Sequence, residues 1–159
     1  GWSEVLAHEI VHQWWGLAKA FDVGKDAGEW SSEGLTVYTT YRMMKEKYGA
    51  DYAQKNYIDL WQAKVDYYYK NFYVRNPAYM DKLPERYKMN IQSSLDDIRH
   101  YSEMPLKILK AEQLVGGEEK MDEILKKLYN RVDNMSQPYL TYQNFLDACG
   151  LEKEDLSLE

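Results

Sequence analysis

The chain has 159 residues, of which 45% are hydrophobic and 29% are charged, as is ordinary for one globular domain with its own core. Its formal net charge of −6 at pH 7 argues against a surface for nucleic acid or for an anionic membrane. The single cysteine, Cys149, excludes an internal disulfide framework, and no apolar run is long enough to span a bilayer.

The predicted elements in the first half of the chain are helices. A helix over residues 3–18 has Ser3 as its N-cap, and a loop with two glycines and two aspartates follows it. A second helix begins at Glu33 and ends at Gly49. A third, rich in tyrosine, is capped by Asp51 and continues to about residue 72.

In the second half, residues 75–96 are predicted to form a long irregular connection, because two prolines interrupt any helical pattern there. Three further helices follow, over residues 102–115, 118–132 and 141–149, and the last is stopped by Gly150. No stretch predicts a strand. The sequence therefore predicts an all-α fold of about six helices.

The segment from His8 to His12 has the pattern H-E-x-x-H. On a helix, residues four apart lie on one face, so the two imidazoles can bind one metal ion. Glu9 lies beside that face, where a carboxylate can act as a base toward a metal-bound water. The flanking residues are strongly apolar, which indicates a buried helix whose polar residues need partners. The motif therefore predicts a zinc site.

A catalytic zinc ion usually has three protein ligands. Glu33 is the favoured third ligand because it begins the second helix, after a loop long enough to reverse the chain. Asp22, Asp26 and Glu29 are nearby alternatives. The helix dipole also favours a carboxylate at that position, so a purely structural role for Glu33 is compatible with ligation.

Two runs together resemble the zinc signature of the aminopeptidase N family, which belongs to the gluzincin metallopeptidases. They are HEIVHQWWG at residues 8–16 and EWSSEGL at residues 29–35. The family pattern is H-E-x-x-H-x(18)-E, with an aromatic residue and a glycine after the second histidine. Here twenty residues separate His12 from Glu33, and a two-residue insertion in the loop at 22–28 would account for the difference.

The resemblance implies a role for each matching residue. His8, His12 and Glu33 correspond to the ligands of one zinc ion per chain, and Glu9 corresponds to the general base. The segment YSEMPL that begins at Tyr101 is similar to the family's Y-x-K-G segment, although Glu and Met replace Lys and Gly. This similarity implies that Tyr101 donates a hydrogen bond to the oxyanion formed during peptide hydrolysis.

The resemblance covers nearly the whole chain but only the C-terminal part of that family's catalytic domain. It implies that residues 1–159 are a helical fragment, the helical subdomain of a thermolysin-like domain, whose upstream sheet subdomain is missing. The expected partners are a peptide substrate and the upstream domains of the same parent chain, without nucleic acid. We expect the fragment to be soluble and its parent to be cytoplasmic or membrane-associated.

Two other functions are compatible with these motifs. One is a non-catalytic zinc-binding or scaffold module, in which the metal only joins two helices. The other is a peptidase-like domain attached to a membrane transporter, in which case the membrane is contacted only through the parent chain. Retention of Glu9 favours an enzyme, because a structural zinc site does not need that carboxylate.

Overall fold

A computed structural model of the chain describes residue 4 and residues 20–21, 33–132 and 139–159. Within those ranges the architecture is all-α, as predicted. The helices are α1 (Leu35–Tyr48), α2 (Ala50–Ala53), α3 (Asp59–Lys70), α4 (Phe72–Arg75), α5 (Pro77–Met80), α6 (Glu85–Ile98), α7 (Met104–Val115), α8 (Glu118–Val132) and α9 (Tyr142–Cys149). None of the described helices is both long and apolar enough to cross a membrane.

One short piece of extended structure accompanies the helices. Strand β1 (Ala20–Phe21) pairs in parallel with strand β2 (Tyr139–Leu140), and each strand contributes two residues. The sequence analysis predicted no strand. A ladder of this length has too few hydrogen bonds to define an architecture, so the fold class remains all-α.

The prediction of a helix ending at Gly49 is confirmed. Gly49 has φ 96°, a value that a side chain would strain, and its N–H donates to the carbonyl of Lys45. Helix α2 begins at the next residue and continues through a π-turn (Gln54–Ile58) into α3. Asp51 lies in the first turn of α2 and is therefore not the cap that was predicted.

The predicted irregular connection over residues 75–96 is wrong, because most of it is helical. Pro77 lies in the first turn of α5, and Pro84 immediately precedes α6. Proline is tolerated in a first turn because the N–H that it lacks would have no partner within the helix there. The two prolines therefore start helices instead of excluding them.

The predicted start of a helix at residue 102 is also wrong. Helices α6 and α7 join through a π-turn (Arg99–Glu103), so helical structure is continuous from Glu85 to Val115. The N–H of Met104 donates to the carbonyl of Arg99, five residues earlier. Pro105 follows at once and has no N–H for the usual bond to the carbonyl of residue 101. The wider turn thus lies where the proline interrupts the α-helical ladder.

The last two predicted helices are confirmed. Helix α8 has the predicted bounds of 118 and 132. Helix α9 begins after Thr141, whose hydroxyl accepts a hydrogen bond from the N–H of Asn144 in a reciprocal capping box. It ends at Gly150, which is left-handed with φ 68°.

Among the described residues, an apolar core joins α1, α3, α7, α8 and α9 with the C-terminal 3₁₀ turn (Lys153–Leu156). The side chains that fill it are buried completely or nearly so, and burial of each large one contributes about 2 kcal/mol. They include Leu35 and Tyr38 of α1, Val65 of α3, Ile108 of α7, Met121 of α8, Phe145 and Leu146 of α9, and Leu156.

Candidate metal centre

The predicted site residues fall into two groups. The structure describes Glu33 and Tyr101, which were predicted as the third metal ligand and the oxyanion donor. The others lie outside the described residues: His8, Glu9 and His12 of the motif, and the alternative ligands Asp22, Asp26 and Glu29.

Glu33 is the first residue of the described range that leads into α1. Glu33 and Gly34 form a turn of the wide, π type, and α1 follows without interruption. The Glu33 side chain is half-buried. A carboxylate near the N-terminal end of a helix is favoured by the helix dipole.

The residue after Glu33 packs unusually closely against another helix. Gly34 is buried, and a Cβ atom added to it would lie 2.5 Å from Cγ and 3.2 Å from Cβ of Met104, and 3.5 Å from Cδ1 of Ile108. A side chain of any size would therefore push α1 away from α7. Only glycine lets the start of α1 approach the start of α7 this closely.

Tyr101 lies three residues before Met104, within the π-turn. Its side chain is 42% exposed. Met104 directly follows this turn, so the contact between Gly34 and Met104 places the helix start after Glu33 beside the end of the turn that contains Tyr101. π-Turns within α-helices are frequent at functional sites.

A buried carboxylate stabilises the π-turn. Glu103 is 3% exposed, and its oxygens lie 3.3 Å from Nζ of Lys107 and 3.8 Å from Nε of Arg99. The Tyr69 hydroxyl donates to it at 3.2 Å, which connects α3 to the turn. Burial, together with the Glu103 charge, raises the pKa of Tyr69. These contacts hold the backbone of the turn on both sides of Tyr101.

A second buried network fixes α1 against α7 and α8. The Tyr38 hydroxyl donates to Glu112 at 2.7 Å and accepts from Arg42 at 2.9 Å. Arg42 also holds Asp122 through two hydrogen bonds of 3.0 and 2.9 Å. Burial, and then the Glu112 charge, raises the pKa of Tyr38. The network sets the orientation of the helix whose first turn follows Glu33.

The sequence analysis did not identify this network. The available signal was Glu112 itself, a carboxylate within the largely apolar α7. A charged residue on the apolar face of a helix requires a partner, so its position alone indicated a buried interaction.

One hydrogen bond connects Glu4, which precedes the motif, to α2. The Tyr52 hydroxyl of α2 donates to the carboxylate of Glu4, four residues before His8. Burial raises the pKa of Tyr57, and the Glu4 charge raises it further. Glu4 therefore contacts the surface of α2 and the π-turn that follows it.

The donor set is chemically suited to zinc. Two imidazoles and one carboxylate form a common ligand set of catalytic zinc sites. Among residues 33–132 and 139–159, no three His, Cys, Asp or Glu side chains are grouped so that they could hold a metal ion. Two of the three predicted ligands lie outside those ranges, so the fit depends on the types of donor and on the position of Glu33.

No family model, curated protein or solved structure matches the chain.

Proposed function

We propose that the chain binds one zinc ion through His8, His12 and Glu33. We further propose that its parent protein is an aminopeptidase N-like metallopeptidase, which removes residues from the N-terminus of peptides. The observation that supports this most is the contact between Gly34 and Met104, because it brings the helix start after Glu33 to the turn that contains Tyr101.

Two further features support the proposal. Glu33 is half-buried and lies two residues before α1, where the helix dipole favours a carboxylate. Tyr101 is 42% exposed, so its phenol is accessible to a substrate while the backbone of its turn is held by the buried Glu103. A side chain fixed at its base and accessible at its tip suits a hydrogen-bond donor in catalysis.

The proposed mechanism divides the chemistry among these residues. When bound, zinc acidifies a coordinated water and polarises the scissile carbonyl. Glu9 accepts the proton from the attacking water and delivers it to the leaving amine, first as base and then as acid. Tyr101 donates its phenolic hydrogen bond to the oxygen that becomes negative as the carbonyl is attacked. His8, His12 and Glu33 orient the reaction by holding the metal.

The 159-residue chain by itself is expected to bind zinc with weak or no aminopeptidase activity. In the family that the motifs resemble, the segment that anchors the substrate's free amine lies upstream of the region that corresponds to this chain. Without that anchor the scissile bond is not positioned for attack. Robust turnover of an aminoacyl substrate by the purified chain would contradict this expectation.

Zinc content of purified variants tests the ligand set. After zinc loading and dialysis, elemental analysis is expected to find about one zinc per chain in the wild type and much less in Glu33→Ala. Glu46→Ala is the matched control, because Glu46 is an exposed carboxylate on α1, the helix that follows Glu33. Full zinc retention by Glu33→Ala would refute Glu33 as a ligand and favour Glu29 or a neighbouring aspartate.

A second experiment distinguishes between a catalytic and a purely structural role of the zinc site. Glu9→Gln in the full-length parent is expected to keep its zinc and lose peptide hydrolysis, because the base is removed and the ligands remain. Loss of zinc together with loss of folding would indicate that Glu9 has a structural role. Unchanged hydrolysis would refute the assigned base.

A further inference from the structure

A cleft beside the π-turn has no role in the proposed hydrolysis. It has a volume of about 720 Å³ and is lined mainly by Arg75, Arg99, Tyr68, Tyr69 and Glu103. Volumes of this size accommodate small-molecule ligands. We refer to it as the arginine cleft. It lies between the C-terminal end of α3, α4 and the π-turn.

The two arginines differ in how their charge is balanced. Glu103 is 3.8 Å from the Nε atom of Arg99 and 3.3 Å from Nζ of Lys107, so it is shared between two cations. Arg75 is exposed, and its guanidinium has no carboxylate within ion-pair distance in the described part of the chain. Two arginines and two glutamates line the cleft, and Lys107, which pairs with Glu103, brings the nearby cations to three against two side-chain carboxylates.

Hydrogen-bond donors also outnumber acceptors in the cleft. A guanidinium carries five N–H donors in a planar fork that matches the oxygens of a carboxylate or a phosphate. Tyr68 and Arg99 both line the cleft; burial raises the pKa of Tyr68, and the Arg99 charge acts in the opposite direction. The Tyr68 and Tyr69 rings meet edge to face at 5.1 Å and provide an apolar wall.

We propose that the arginine cleft binds a small organic anion, whose carboxylate or phosphate group is held between Arg75 and Arg99 and whose apolar part contacts the tyrosine rings. This site is separate from the proposed zinc centre and does not depend on it. Arg99 and Tyr101 belong to the same π-turn, so a ligand here would contact the element that positions Tyr101.

Of the two glutamates that line the cleft, Glu103 is paired with cations, whereas Glu159 opposes an anionic ligand. The negative charge of Glu159 contributes to the raised pKa of Tyr69. The direction in which removal of the Glu159 charge changes ligand affinity is therefore predicted. If the ligand is an anion, Glu159→Gln removes a repulsive charge and should tighten binding by about twofold or more.

Titration calorimetry in phosphate-free buffer tests the proposal with two probes, phenyl phosphate and benzoate. The wild type is expected to bind at least one of them saturably at one site per chain. Whichever probe binds more tightly identifies the anionic group that the cleft prefers. Arg75→Gln is expected to weaken binding about tenfold or more, since it removes charge-assisted hydrogen bonds.

Arg86→Gln is the matched control because Arg86 is also exposed but does not line the cleft. It should bind within about twofold of the wild type. Arg75 makes no ion pair in the described chain, so Arg75→Gln should fold normally, and circular dichroism checks this. The proposal is overturned if neither probe binds the wild type saturably, if Arg75→Gln binds as the wild type does, or if Glu159→Gln binds more weakly.

Discussion

The contact between Gly34 and Met104 makes the most informative prediction, because two physical effects on the same substitution oppose each other. Gly34 has φ −61° and ψ −54°, a helical conformation that alanine adopts without strain. By helix propensity alone, Gly34→Ala should stabilise the fold by about 1 kcal/mol. The close approach of α7 predicts the opposite sign.

The magnitude follows from the geometry. The added Cβ atom would lie 2.5 Å from Cγ of Met104, whereas carbon atoms in contact are normally about 3.5–4.0 Å apart. Met104 is 3% exposed and cannot swing into solvent, so α1 and α7 would have to separate. Overpacking of this kind costs about 1–3 kcal/mol. After the propensity gain is subtracted, Gly34→Ala should destabilise the fold by up to about 2 kcal/mol.

A double-mutant cycle isolates the free-energy cost of the clash between positions 34 and 104. Met104→Ala alone should cost about 2–5 kcal/mol because it empties a buried site. In that background the 2.5 Å clash with Cγ is absent and only the tight 3.2 Å contact with Cβ remains, so Gly34→Ala should become close to neutral or stabilising by up to about 1 kcal/mol. The coupling energy between the two positions is therefore expected to be about 2 kcal/mol, measured from urea unfolding midpoints of the four proteins.

Two results would refute the reasoning. If Gly34→Ala stabilised the wild-type background by the full propensity gain of about 1 kcal/mol, α1 and α7 would not meet at this point. A coupling energy near zero would mean that any destabilisation has another cause. The zinc affinity of the same variants tests the role of Glu33. Displacement of the helix start after Glu33 should weaken zinc binding only if Glu33 is a ligand.

Three further predictions concern other parts of the molecule. Burial raises the pKa of Cys149 from 9.0 to about 11 and that of Tyr142 from 10.0 to about 12. Both groups hold their protons more tightly when folded, so their contribution to stability is complete below about pH 9 and is lost as the pH rises toward 12. Unfolding midpoints from pH 8 to 12 should fall, and Tyr142→Phe should flatten the decline above pH 10. Glu112→Ala should cost about 2–4 kcal/mol in urea unfolding, because it leaves the Tyr38 hydroxyl without its acceptor; a change below about 0.5 kcal/mol would contradict the buried network. In the full-length parent, Tyr101→Phe should lower kcat about 10²–10³-fold with zinc content unchanged, whereas an unaltered kcat would exclude Tyr101 as the oxyanion donor.

Much of the fold was predictable because local chemistry defines helix ends. Gly49 and Gly150 adopt backbone conformations that favour glycine, and Thr141 forms a capping box with residues close to it in sequence. These signals act within a few residues, so they can be recognised without knowledge of the tertiary structure. The all-α class and the bounds of α8 followed from the same kind of pattern.

The errors in the predicted helix boundaries arose at prolines, because proline can either end a helix or begin one. Pro77 and Pro84 were interpreted as helix breakers, yet each lies at a helix start, where a missing N–H has no cost. Pro105 was expected in the first turn of a new helix, yet it follows a π-turn within continuous helical structure. The choice between stopping and starting a helix depends on packing against other elements, which the local sequence does not specify.

For the candidate metal centre, too, some features followed from the sequence and others only from the tertiary structure. The sequence by itself determined the types of donor and their spacing: two histidines four residues apart, a glutamate at a helix start, and a tyrosine far along the chain. Only the tertiary structure decided that the turn of Tyr101 and the helix after Glu33 meet, through Gly34 and Met104. The burial of Glu103 and Glu112 was decided there too. The physical reason is that helix periodicity is a local property, whereas close approach between residues seventy positions apart depends on how the whole core packs.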